Sequence, residues 1–69
     1  MDDIRIRVLL DGSSLSVRVP RGAPVRRALQ EAGVDLSHVG MVVWDWRLLD
    51  LDEEVPAGEI CVLPPLDGG

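Results

Sequence analysis

Two runs of alternating residues flank an Asp-Gly pair, and they constrain the fold more than any other feature. Ile4, Ile6, Val8 and Leu10 alternate with Asp3, Arg5, Arg7 and Leu9. A period of two puts the apolar set on one face of an extended strand. Leu15, Val17 and Val19 alternate with Ser16 and Arg18 in the same way. Between the runs, Asp11-Gly12 is a strong turn signal, and Ser13-Ser14 extends the loop. Pro20-Arg21-Gly22 breaks the second run. The chain therefore opens with a hairpin whose apolar face must be covered.

A helix is marked next. Pro24 suits the first helical position, where a missing N–H costs nothing. Val25, Ala28, Leu29 and Ala32 form one apolar stripe, with Arg26, Arg27, Gln30 and Glu31 on the wet side. Gly33 ends the helix as its C′ residue. No residue before Pro24 is a good N-cap.

Met41-Val42-Val43-Trp44 reads as a third strand, and Asp45-Trp46-Arg47 turns the chain. Leu48-Leu49 is a short fourth strand. An acidic loop, 50–55, follows, anchored by Leu51 and Val55. Pro56-Ala57-Gly58-Glu59 is a turn. Ile60-Cys61-Val62-Leu63 is the last strand, ended by Pro64-Pro65, which cannot donate ladder hydrogen bonds. The order β-β-α-β-β-β predicts an α+β fold, a mixed sheet of four or five strands packed on one helix. Residues 1–66 form one domain, and 67–69 a flexible tail.

Composition narrows the function. At 69 residues there is room for one small core, and 46% hydrophobic content is enough to fill it. With two Trp and no Phe or Tyr, that core must be Val, Leu and Ile. The net charge of −5 argues against a nucleic-acid partner. All seven basic residues are Arg, so no side-chain amine can accept a second copy of the chain. The early acids Asp2 and Asp3 do not fit a secretory leader. No apolar run exceeds the four residues of Met41–Trp44, too short to span a membrane. A single cysteine cannot staple the fold or hold a cluster. These features point to the cytoplasm.

Few side chains offer chemistry. Cys61 lies inside a strand and reads as a small hydrophobe. His38 reads as a loop residue with no companion ligands. Ser13 and Ser14 fit no catalytic triad. Trp44 and Trp46, two apart, share a face if the strand is extended. They either pack on the core or form a docking patch with Leu9, Leu49 and Leu63. Asp50, Asp52, Glu53 and Glu54 read as a solvated loop rather than a docking site.

The tail carries the functional signal. After Leu63-Pro64-Pro65 come Leu66, Asp67, Gly68 and Gly69. Prolines hold a segment extended, and glycines leave no side chain to block a narrow channel. A carboxylate on such a tip can be threaded into another protein's active site.

Residues 51–69, with Gly58-Glu59-Ile60, Pro64-Pro65 and Gly68-Gly69 at these spacings, resemble the end of the ThiS/MoaD sulfur-carrier family. The length and element order match along the whole chain. Pro-Pro looks more like MoaD and the short length more like ThiS. Trp44-Asp45-Trp46 departs from the small polar turn of many members. The resemblance implies a ubiquitin-like β-grasp fold. It also implies that an E1-like adenylyltransferase of the ThiF/MoeB type activates the Gly69 carboxylate with ATP. Sulfur from a cysteine desulfurase or rhodanese then displaces AMP. The resulting thiocarboxylate serves an acceptor biosynthetic enzyme. On this reading Gly69 carries sulfur, Gly68, Asp67, Leu66, Pro65 and Pro64 thread the tail, and Trp46, Leu49 and Leu63 dock the partner. The chain is then a co-substrate, not an enzyme, and binds no cofactor of its own. Two rival readings are a ubiquitin-like modifier joined through Gly69 to target lysines, and a plain interaction domain.

Overall fold

A computed structural model describes residues 2–66. Strands β1 (Asp3–Leu10) and β2 (Ser13–Pro20) form the expected antiparallel hairpin. Its register sets Ile4 against Val19, Ile6 against Val17 and Val8 against Leu15. Asp11 and Gly12 take φ of 51° and 80°. Positive φ at both central residues is the type I′ pattern, whose twist matches that of the strands it joins. Pairing therefore resumes at once. Ser13 and Ser14, expected in the loop, belong to β2 and face Leu10 and Leu9.

Helix α1 (Val25–Glu31) follows. Pro24 is its N-cap rather than its first helical residue, with an extended ψ of 159°. A side-chain cap is missing, as the sequence implied, and backbone takes its place. The N–H groups of Val25 and Arg26 donate to the carbonyls of Glu53 (2.8 Å) and Leu51 (3.0 Å). The acidic loop thus satisfies two of the donors that a helix start leaves open. The C-terminus is as expected. Gly33, at φ 78°, donates to the Gln30 carbonyl, and Val34 donates to that of Leu29. That pair of bonds is a Schellman motif.

A short 3-10 turn, Leu36–His38, holds His38. The Asp35 carboxylate accepts from the Ser37 N–H and hydroxyl, which together hold it below the usual carboxylate range. Strands β3 (Met41–Trp44), β4 (Arg47–Leu49) and β5 (Gly58–Leu63) complete the sheet. Strand β5 starts earlier than the sequence predicts, because Gly58 at φ 118° lets pairing begin opposite Ile6.

The five strands lie in the order β2-β1-β5-β3-β4. Strand β5 runs parallel to β1 and antiparallel to β3, so the sheet is mixed. The core lies between the sheet and the helix. Ile4, Ile6, Val8, Val19, Val42, Leu49, Ile60 and Val62 meet Val25, Ala28, Leu29 and Val55 there. Among the described residues, no helix is long and apolar enough to cross a membrane.

Leu29 is fully buried. Leu29→Ala should cost about 2–5 kcal/mol, because the site cannot fully collapse around the lost atoms. Urea denaturation checks this: the midpoint should fall steeply while the slope stays unchanged.

Candidate functional site

Strand parity divides the sheet into two faces. In β5, Ile60 and Val62 point to the helix, so Cys61 and Leu63 point away from it. Pairing then extends a row across four strands. Leu9 of β1 lies beside Cys61, Cys61 beside Val43 of β3, and Val43 beside Leu48 of β4. One step nearer the tail, Met41 faces Leu63. Leu48 is 66% exposed, and Met41 and Leu63 are also open to solvent. The far side of the same face is polar, with Arg7 opposite Glu59 and Arg5 opposite Arg18. Among the described residues nothing covers this apolar side of the sheet.

Leu49 is not part of this patch. It is 8% exposed and pairs with Val42 on the core side. The two-residue turn sets Trp44 against Arg47, which turns Leu49 inward and Leu48 outward. Leu48, not Leu49, lies on the open face. Leu63 stands where it was expected, and Leu9 is half-buried in the row.

The two tryptophans part company. Trp44 closes β3, half-buried against the core, with the Arg47 guanidinium 5.9 Å from its ring centre. Trp46 is 97% exposed in the β3–β4 turn. A shared face required the strand to run on through Trp46, and it does not. Asp45 and Trp46 instead take φ of 51° and 66°. For a residue with a Cβ, that left-handed conformation costs roughly 1–2 kcal/mol. Trp46 still stands at the rim of the open face, near Leu9, Val43, Glu59 and Cys61.

The tail leaves the end of β5. The Leu63 carbonyl accepts from the Gly40 N–H at 2.8 Å. Pro64, Pro65 and Leu66 are exposed, Leu66 at 92%. Gly40 makes that path possible. A Cβ there would fall 2.6 Å from the Pro64 carbonyl carbon and nearer still to the Pro64 oxygen and the Pro65 Cα. Asp67, Gly68 and Gly69 lie outside the described residues.

The remaining candidates have structural duties. Cys61 is half-buried within the apolar row. The His38 Nδ1 lies 3.3 Å from Asp35. Among the described residues, no group of three His, Cys, Asp or Glu is placed to share a metal. Asp52 pairs with Arg26, Glu53 with Arg47 at 3.6 Å, and Glu53 also accepts from the Asp50 N–H. Sequence reasoning missed Met41, Val43, Leu48 and Gly40. The run Met41–Trp44 is uniformly apolar, so nothing in it shows which residues face out. Gly40 carries no turn signal, because its constraint is space rather than φ.

The face offers contact area and the tail offers backbone. Gly40→Ala should destabilise the fold by about 1–3 kcal/mol, as overpacking does. It should also move the amide signals of Leu63 and Leu66, the nearest tail residues that carry an N–H. A denaturation curve with an amide correlation spectrum tests both.

No family model and no curated protein matches the sequence. Solved structures do match. The ubiquitin-like domain of an Arabidopsis thaliana protein aligns with 100% of this chain and 84% of its own, at TM-score 0.74 and 14% identity. A chain from a structure described as molecular mimicry of SUMO that promotes DNA repair aligns over 91% of this chain and 92% of its own. Its TM-score is 0.67 and its identity 12%. At such identities the likeness establishes the fold alone, which is the ubiquitin-like β-grasp.

Proposed function

We propose that this ubiquitin-like β-grasp domain is a sulfur carrier of the ThiS/MoaD kind, working through Gly69. The observation that carries the reading is the pairing of an apolar open face with a tail that leaves its edge. One surface can dock on an activating enzyme while the tail enters that enzyme's active site. The Gly68-Gly69 sequence suits a narrow channel, and Pro64 and Pro65 stiffen the stalk, cutting the ordering cost of insertion.

The chemistry follows from what a carboxylate lacks. Its charge repels nucleophiles, so it must be activated by a partner. The Gly69 carboxylate attacks the α-phosphorus of ATP, and pyrophosphate leaves. The terminal sulfur of a persulfide donor attacks the acyl carbon, and AMP leaves. A thiol then attacks the donor's own sulfur, which takes up the disulfide and frees the thiocarboxylate. This chain supplies the acyl group and the docking surface. An E1-like adenylyltransferase supplies the nucleotide site, a cysteine desulfurase or rhodanese the sulfur, and a biosynthetic enzyme the acceptor. On this reading the work is cytoplasmic. Leu48, Leu63 and Trp46 form the docking set.

Intact-mass spectrometry after incubation with an E1-like enzyme, ATP and a sulfur donor tests the reading. The mass should rise by the exchange of one oxygen for one sulfur, and a form lacking Gly69 should stay unchanged. Gly-Gly remnants on lysines of other proteins would mark a modifier instead. Leu48→Asp, at an exposed site, should keep the fold and raise KM in pyrophosphate release about tenfold or more, as losing a docking contact does.

A further inference from the structure

We propose that Trp46 is a docking anchor, its indole entering an apolar pocket with a basic rim on the protein that covers the open sheet face. The argument begins with a comparison the molecule makes within itself. Its two tight hairpins use one turn geometry. Asp11-Gly12 takes φ of 51° and 80°, and Asp45-Trp46 takes 51° and 66°. The first turn carries the residue this geometry favours, because glycine has no Cβ to strain. The second carries the largest side chain of all in the same place.

Nothing among the described residues offsets that strain. A buried Trp recovers it through packing, but Trp46 is 97% exposed. Trp44, two residues earlier, packs on the core and receives Arg47 over its ring; Trp46 does neither. A strained backbone position held by a solvated aromatic ring points to a role outside the fold. Trp is also the side chain most enriched where binding energy concentrates.

The surroundings define the occupant. Trp46 shares a shallow recess with Leu9, Val43, Cys61, Asp45 and Glu59. The apolar members continue into the row that includes Leu48. Asp45 has no cationic partner within 4 Å among the described residues, and Glu59 has only Arg7 at 4.0 Å. A partner must therefore offer an apolar cavity for the indole and cationic side chains for Asp45 and Glu59. A second copy of this chain is a poor fit. It would set the same acidic turn and the same net charge of −5 against each other.

Position explains why such an anchor is useful. Strand β3 begins beside Leu63, where the tail leaves, and ends at the Trp46 turn near Glu59. The ends of β3 lie three residue steps apart, roughly 10 Å. Gripping both ends of the face fixes the angle at which the tail enters a partner. For the partner's identity, an activating enzyme, the assignment rests on the carrier reading above.

The test uses the full chain with Trp46→Gly and Trp46→Phe. Trp46→Gly recreates the Asp-Gly turn, so Tm should rise by about 3–6 °C. With an E1-like enzyme that turns over the wild type, its KM should rise about tenfold while kcat stays within about twofold, a loss of uniform binding. Trp46→Phe keeps an aromatic ring and the strained backbone. It should leave Tm near wild type and restore most of the KM. A Trp46→Gly chain that is no more stable than wild type, or that keeps its KM, overturns the proposal. So does a wild-type dimer in sedimentation equilibrium that Trp46→Gly abolishes, because a second copy then fills the role. Failure of the carrier reading is told apart readily, since wild type and variants then go unactivated alike, and the assignment of partner falls with it.

Discussion

The final strand sits in the middle of the sheet, and most of the molecule follows from that. Strand β5 bonds to β1 on one side and β3 on the other. Its alternate residues therefore serve two purposes. Ile60 and Val62 complete the core under the helix, while Cys61 and Leu63 join the open face. Because β5 comes from the end of the chain and its neighbour β1 from the start, the sheet closes only when distant segments meet. Such non-local pairing is slow to form, since loop-closure entropy is lost before contacts reward it. The same placement roots the tail in a strand bonded on both sides. Residues beyond Leu63 leave from a fixed origin rather than a loose end.

The acidic loop is a second economy of design. A helix with Pro24 at its cap and no Ser, Thr, Asp or Asn before it starts poorly on its own. The loop across the domain supplies carbonyls from Leu51 and Glu53, and Val55 returns an N–H to the Ala23 carbonyl at 2.8 Å. Its side chains matter less. The pairs Arg26–Asp52 and Arg47–Glu53 are largely exposed, where ion pairs contribute little. What the loop adds is backbone hydrogen bonding and the buried Val55.

Core packing thus uses one face of the sheet and leaves the other open. The inner face carries aliphatic residues from all five strands and three buried helix positions. The outer face is graded, apolar at the tail end and charged toward Arg5, Arg18 and Glu59. A graded face has a direction, and the strand end that leads to Pro64 and Pro65 lies at its apolar end.

Local chemistry determined much of this from the sequence alone. Alternation assigned both strands of the first hairpin, the stripe through Leu29 assigned the helix, and Gly33 assigned its end. These features depend on residues within a few positions of one another, so a linear reading captures them. Gly68-Gly69 and Pro64-Pro65 are local features too, and the role proposed for them rests on the sequence. What the tertiary structure decided was parity and space. Leu48 and Leu49 are indistinguishable as a pair of letters; only the register against Val42 and Val43 sends one outward and the other into the core. Trp44 and Trp46 looked like a matched pair until a two-residue turn came between them. Gly40 matters because Pro64 and Pro65 pass over it, a contact between segments far apart in sequence. Side-chain period is two, so a single residue of register reverses every face. That register is set across strands, by partners that no stretch of sequence contains.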